Sequence, residues 1–181
     1  RFVCMSDTHN SVDGEFPVPE GDVLIHAGDL TYTGTKRQVA NTVTWLTNLP
    51  HPVKLIIAGN HDLTQAIRSI WAMAAGHGIH YLEDAAHRLD GAHGGWLVYG
   101  SPWQPEFGGW AFNKPRGAPL REVWDRIPEA TDILITHGPP RGILDRVVTG
   151  ESCGCDDLLV RVQTVRPIVH IFGHIHEGRG V

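Results

Sequence analysis

Gly59-Asn60-His61-Asp62 closes the run Val53-Lys54-Leu55-Ile56-Ile57-Ala58. The run is apolar and β-branched, the mark of a buried strand. It stops abruptly at Gly-Asn, so an amide, an imidazole and a carboxylate emerge together at the strand's C-terminal end. Open α/β sheets take their ligands at that edge. Asn after Gly is also ordinary turn chemistry, so the stretch draws its meaning from its company. Four other strand-like runs end in the same way. Phe2-Val3-Cys4-Met5 leads to Asp7-Thr8-His9, and Val23-Leu24-Ile25-His26 to Gly28-Asp29. Ile133-Leu134-Ile135 leads to His137-Gly138, and Ile168-Val169-His170-Ile171-Phe172 to Gly173-His174-Ile175-His176. Packing gives no reason for five strands to deliver Asp, His and Asn to one rim.

At 181 residues the chain is long enough for one domain with a real core, expected to span residues 1–181. Apolar content of 41% and charged content of 19% exclude a disordered chain. A formal charge of −5 argues against a surface that coats nucleic acid, so no nucleic-acid polymer is expected as partner. Three Cys make no disulfide framework, and a reducing, cytoplasmic setting is expected. No apolar run approaches a membrane span, and no signal peptide is visible. The chain begins at Arg1, without Met, inside a strand, and stops soon after His176; further residues are expected beyond both ends.

Thr35 to Leu49 carries Val39, Val43, Leu46 and Leu49 at near-helical spacing, and Pro50 and Pro52 end the helix. A second helix is expected over Leu63 to Gly76, with Ile67, Ile70, Trp71 and Ala74 inward. From Ile79 to Tyr99 short strands alternate with turn signals, which predicts a second, more antiparallel sheet. His77, His80, His87 and His93 read as surface or locally bonded residues. Pro119 to Ile127 and Asp156 to Val165 read as helices, the latter with acidic residues at its positive end. Cys153-Gly154-Cys155 lacks the further Cys of a zinc site and reads as free thiols. Between residues 100 and 113, Trp103, Phe107, Trp110 and Phe112 sit in a Pro/Gly-rich loop without period. Such a loop either folds back over an apolar patch or forms a wall that stacks on a ring.

The rim holds Asp7, His9, Asp29, Asn60, His137, His174 and His176. Carboxylate, imidazole and amide oxygen together suit Mn, Fe or Zn rather than thiolate-loving metals. The set is too large for one mononuclear site that keeps a water, and it fits two metals sharing a bridging carboxylate. Such a pair clamps the attacking and leaving oxygens of a phosphoryl displacement. His61 is then free to donate a proton to the leaving oxygen.

These blocks, in this order, resemble the calcineurin-like metallophosphoesterases. Trp103-Gln104-Pro105, Trp110-Ala111-Phe112-Asn113, Arg116-Gly117, Thr136-His137-Gly138-Pro139-Pro140 and Gly173-His174-Ile175-His176-Glu177-Gly178 resemble more narrowly its metallophosphoesterase-domain-containing branch. The resemblance spans essentially the whole chain. It implies an α/β fold, a four-layer α/β/β/α sandwich. It implies that Asp7, His9 and His176 bind one metal ion, that Asn60, His137 and His174 bind a second, and that Asp29 bridges them. His61 becomes the proton donor. The implied activity is phosphodiester hydrolysis by a metal-bridging hydroxide, on a small nucleotide or cyclic-nucleotide-like substrate. In the related phosphoprotein phosphatases a second Asp, three residues after the Gly-Asp pair, orients the catalytic His. Here the region reads Asp29-Leu30-Thr31-Tyr32-Thr33, which leaves Asp62 as a candidate for that task.

On this reading Trp103 and Phe107 hold a base or other ring, and Arg116 or Arg141 lies near the phosphate. The expected partner is thus a small-molecule phosphoester. Two alternatives share the fold: an iron-dependent enzyme that tailors a non-phosphate molecule, and an inactive scaffold for protein partners. The second is marked by lost ligands, and this chain keeps them all.

Overall fold

Alternation along the strands sorts the apolar side chains into three separate core layers, and three layers of core require four layers of backbone. The computed structural model describes residues 1–11, 17–62, 71 and 74–181. In β2 (Val23–Ala27) and β3 (Val53–Ile57), Val23, Ile25, Ala27, Leu55 and Ile57 face one core, whereas Leu24 and Ile56 face another. This is the period-two geometry of a strand buried on both faces. Val39 and Leu46 of α1 (Lys36–Asn48) cover Leu24 and Ile56, together with buried Trp71 and Ala74. In β9 (Ile133–Thr136), Ile133 and Ile135 join the inter-sheet core and Leu134 joins the third one. That third core is completed by α2 (Ala118–Trp124) and α3 (Asp156–Val165) through Leu120, Val123, Trp124, Leu158 and Val165. The result is the four-layer α/β/β/α sandwich.

The first sheet has the order β1-β2-β3-β4, with β1 at Phe2–Met5 and β4 at Ile79–Tyr81, and all its pairs are parallel. The second has the order β10-β9-β6-β5, with β5 at Ala85–Arg88, β6 at Leu97–Ser101 and β10 at Val169–Ile171, while β7 (Gln104–Pro105) and β8 (Asn113–Lys114) form a separate two-stranded pair. In the second sheet only β5 and β6 run antiparallel. The expectation of a second, more antiparallel sheet over the 79–99 stretch holds for β5 and β6 and is corrected for β4. β4 extends the first sheet, because a strand that returns from the far side of a crossover lies parallel to its predecessor. The two sheets approach tightly at Gly100, where a Cβ would stand 2.6 Å from Leu82 Cβ and 2.7 Å from Ile57 Cγ2.

The helix ends follow their local chemistry. Thr35 and Gln38 form a capping box at the start of α1. Arg166, in the left-handed region at φ 54°, ends α3. The helix expected over 63–76 lies largely outside the described residues. Cys4, Cys153 and Cys155 are free thiols. His93 bonds Asp90 at 2.6 Å, and His80 packs on His87 with ring centroids 4.0 Å apart. Among the described residues no helix is long and apolar enough to cross a membrane.

His26 sits fully buried in β2, with Nε2 3.0 Å from Thr8 Oγ1 and Nδ1 without a partner among the described residues. Burial pulls its pKa down from 6.5 to about 4. The folded state then resists a proton that the unfolded chain accepts, so stability is retained above pH 6.5 and lost as pH falls towards 4. At pH 4.5 this loss is on the order of 2 kcal/mol. Urea midpoints of the metal-free protein should fall from pH 7.5 to pH 4.5 more steeply in wild type than in His26→Gln. Equal slopes for the two proteins would show that His26 is not the group responsible.

Candidate metal centre

β1, β2 and β3 in one sheet, and β9 and β10 in the other, all direct their carboxyl ends to the same edge of the sandwich. The loops that follow them are laced together by backbone hydrogen bonds. Asp7 N–H donates to Gly28 O at 2.9 Å, His9 N–H to Asp29 O at 3.0 Å, and Asn10 N–H to Leu30 O at 3.0 Å. Gly173 N–H donates to His137 O at 2.9 Å, and His174 N–H reaches both carboxylate oxygens of Asp7 at 3.1 Å. Asp7, His9, Asp29 and His174 all hold left-handed backbones, with φ of 55°, 44°, 53° and 70°. Each costs about 1 kcal/mol or more, and such strain concentrates at functional sites.

Asp62 fastens the β2 and β3 loops to each other. Its buried carboxylate accepts from Gly59 N–H at 2.9 Å, Leu30 N–H at 3.1 Å, Thr31 N–H at 2.9 Å and Thr31 Oγ1 at 2.7 Å. Burial pushes its pKa up to about 6 in spite of these donors. Asp62 is thus a structural clasp and does not orient His61. His61 Nδ1 instead meets the Tyr32 carbonyl at 2.8 Å, a contact with backbone that side-chain patterns do not announce. A carbonyl only accepts, so Nδ1 carries the hydrogen and Nε2 is left for chemistry. The His61 N–H donates to Asp29 Oδ1 at 2.8 Å.

The other Asp29 oxygen, Oδ2, stands 3.4 Å from His137 Nε2 and 3.8 Å from His9 Nε2. His137 Nδ1 is tied to Ala27 O at 2.9 Å, which leaves Nε2 facing Asp29 and Asn60 Oδ1, the latter at 2.9 Å. Burial alone would discharge this pair. The attraction between them outweighs it, lifting His137 to about 9 and holding Asp29 well below the usual carboxylate range. Burial, with His137 beside it, lowers His174 to about 4, so its imidazole is neutral at neutral pH with a lone pair to give.

Ligand atoms of Asp7, His9 and His176 lie within 4.8 Å of one another, as do those of Asp29, His137 and His174. A third group under the same limit joins His9, Asp29 and His61, so Asp29 links the two sets. Asn60 adds its oxygen beside His137. Oxygen and imidazole donors that converge in this way fit divalent cations, which would displace the proton that His137 Nε2 shares with Asp29. The second set is buried at Asp29 and His137 and half-buried at His174, and the first is open to solvent at His176, 60% exposed.

All seven ligand candidates and His61 therefore meet at one rim. The substrate candidates are placed differently. Phe107 is exposed. Trp103 is packed inward: its Nε1 donates to Asp84 at 3.0 Å, Phe112 abuts its ring and Lys114 lies over it. Arg116 donates to the carbonyls of Cys153 and Gly154, and Arg141 to that of Ser152, so both guanidiniums brace the 139–155 loop. Two aromatics that sequence reasoning did not assign to the site reach it. Trp110 packs on His61 in a tilted arrangement, with centroids 4.3 Å apart and planes 33° apart, and Tyr32 lies 5.9 Å from the same ring. The Trp110-Ala111-Phe112-Asn113 block was the available signal for the first, and the position of Tyr32 just after Asp29 for the second.

The chain is 43% identical to the human and mouse metallophosphoesterase domain-containing protein 1, an alignment that takes in 100% of this chain and 62% of each relative. It is 39% identical to a probable rhamnogalacturonate lyase C of Emericella nidulans, over 99% of this chain and 17% of that protein. The chain thus spans under two thirds of the length of these relatives. The family model of calcineurin-like phosphoesterases matches residues 1–178. Members of that family are metal-dependent phosphoesterases, and a match over this extent means that the chain belongs to the calcineurin-like phosphoesterase family.

Proposed function

We propose that this chain is a dinuclear metal-dependent phosphodiesterase acting on a small nucleotide or cyclic-nucleotide-like ester. The observation that carries the reading is the pair of donor sets joined at Asp29, with His61 hung from the same carboxylate. Two divalent ions, of Mn, Fe or Zn, held by Asp7, His9 and His176 and by Asn60, His137 and His174 across Asp29, would acidify water and neutralise phosphoryl charge. His61 supplies the proton for the departing oxygen from Nε2, because Nδ1 is engaged by Tyr32. As the phosphorus–oxygen bond breaks, its electron pair and that proton both go to the leaving group. Asp29 sets the height of His61 above the donor sets through the 2.8 Å bond to the His61 backbone. Tyr32, 62% exposed, and Trp110, 42% exposed, offer ring faces beside His61 for a planar leaving group. Phe107, on the loop that carries Trp110, extends the apolar surface. The three free thiols favour a reducing cytoplasmic setting.

Metal analysis of the purified protein, paired with hydrolysis of bis-p-nitrophenyl phosphate, tests the reading. About two equivalents of metal are expected. His61→Ala should keep the metal and lose on the order of 100-fold or more in kcat on methyl phenyl phosphate, whose leaving oxygen depends on that proton. Turnover that survives this substitution undiminished would sink the assignment of His61, and less than one equivalent of metal would sink the dinuclear site.

Asp29→Asn makes a separate case. It removes the charge shared by both donor sets while keeping an oxygen for the His61 amide. Bound metal should drop to about half or less, since each ligand substitution weakens a site by roughly 10-fold or more. Unchanged metal content in the variant would mean that Asp29 is not shared.

A further inference from the structure

Trp110 has no reason in packing to lie where it does. It is a large apolar residue left 42% exposed, and what it covers is the face of a polar, solvent-reached imidazole. Its place is nevertheless tightly built. Ala111 N–H donates to Asn60 O at 3.1 Å, and Gln104 Nε2 holds Ala111 O at 2.9 Å. Phe112 is buried in the core under α1. Gly108 and Gly109 turn the loop through positive φ of 60° and 69°, and a Cβ at Gly108 would stand 2.8 Å from the Trp110 ring. The loop is therefore anchored to the residue before His61 and shaped so that one indole comes down on one imidazole. His61 needs such a partner. Its only ring hydrogen bond among those described is through Nδ1 to a carbonyl, and that bond fixes one atom of the ring while its faces remain open. His9, edge-on at 4.6 Å, bounds the ring on one approach.

We propose that Trp110 is a positioning residue that keeps His61 Nε2 aimed at the leaving oxygen. The proposal rests on the phosphodiesterase reading above. In the step it governs, the phosphorus–oxygen bond to the leaving group breaks, and its electron pair stays on oxygen and takes the proton from Nε2. His61 is left as the neutral imidazole bonded to Tyr32. An ester that departs as a stable anion needs little of that proton, and a poorer leaving group depends on it. Loss of Trp110 should therefore change the dependence on leaving group rather than lower all rates together.

The test uses the metal-loaded protein and three methyl aryl phosphodiesters, with 4-nitrophenol, 4-chlorophenol and phenol as leaving groups. Trp110→Ala should cost about 3-fold or less in kcat on the nitrophenyl ester and about 10-fold or more on the phenyl ester, the scale set by misplacing a catalytic group. Trp110→Phe, which keeps a ring, should recover most of the loss. His61→Ala should show the same steepening, on the order of 100-fold on the phenyl ester. A uniform fall across the three esters in Trp110→Ala, or a change in KM alone, would overturn the proposal. If wild type turns over none of them, the phosphodiesterase reading fails, and imidazole NMR of the metal-loaded protein decides the position of His61 by itself. A protected His61 Nδ1–H signal present in wild type and Trp110→Phe, and lost in Trp110→Ala, supports the role of Trp110. Its persistence in Trp110→Ala refutes it.

Discussion

The carboxylate of Asp62 is the fastening on which this rim depends. It is buried, and it accepts hydrogen bonds from Gly59, Leu30 and Thr31, which belong to loops after two neighbouring strands. A carboxylate in that position is costly unless every lone pair is used, because burial opposes its charge. The donors offset that cost, and in doing so they bring Asp29 and Asn60-His61 into register. Asp29 can then take the His61 N–H with one oxygen and face His137 and His9 with the other. Gly59 completes the fit from the other side, since a Cβ there would fall on the Asp29 carboxylate.

Electrostatics within the rim follows depth. At the buried end, Asp29 and His137 hold each other charged against the pull of burial. A cation placed among Asp29, His137 and Asn60 would meet the same lone pairs that now share a proton. At the open end, His176 is exposed and Asp7 sits between it and the His174 amide. One set of donors is thus shielded from water and the other faces it, with His61 beside the boundary. Left-handed backbones at Asp7, His9, Asp29 and His174 are the local cost of this convergence, and the interloop hydrogen bonds maintain them.

The surroundings of His61 are unusual in being held by backbone and aromatic rings. Tyr32 contributes its carbonyl to one ring nitrogen and leaves its own ring exposed. Trp110 contributes its face and no hydrogen bond to the ring. Neither contact carries a formal charge. Among the described residues no carboxylate is hydrogen-bonded to the imidazole, and the aromatic rings that flank it are exposed.

The amino-acid sequence by itself determined which strands carry the chemistry. Apolar runs ending in Asp-x-His, Gly-Asp, Gly-Asn-His-Asp, Thr-His-Gly and Gly-His-x-His are local patterns, and strand period, turn chemistry and ligand type are all properties of neighbours in sequence. The helices at 36–48 and 156–165 were legible for the same reason, through apolar spacing, proline stops and acidic residues at a helix start. Tertiary structure decided what no local pattern encodes. It placed β4 in the first sheet, because strand partners are chosen by crossover handedness and layer packing rather than by the strand's own residues. It made Asp62 a clasp and gave His61 to the Tyr32 carbonyl, because every residue presents a carbonyl and only three-dimensional proximity selects one. It turned Trp103 and the two arginines to bracing roles and brought Trp110 over His61. Membership of an aromatic or basic loop does not say which side chain finds the core and which finds the site.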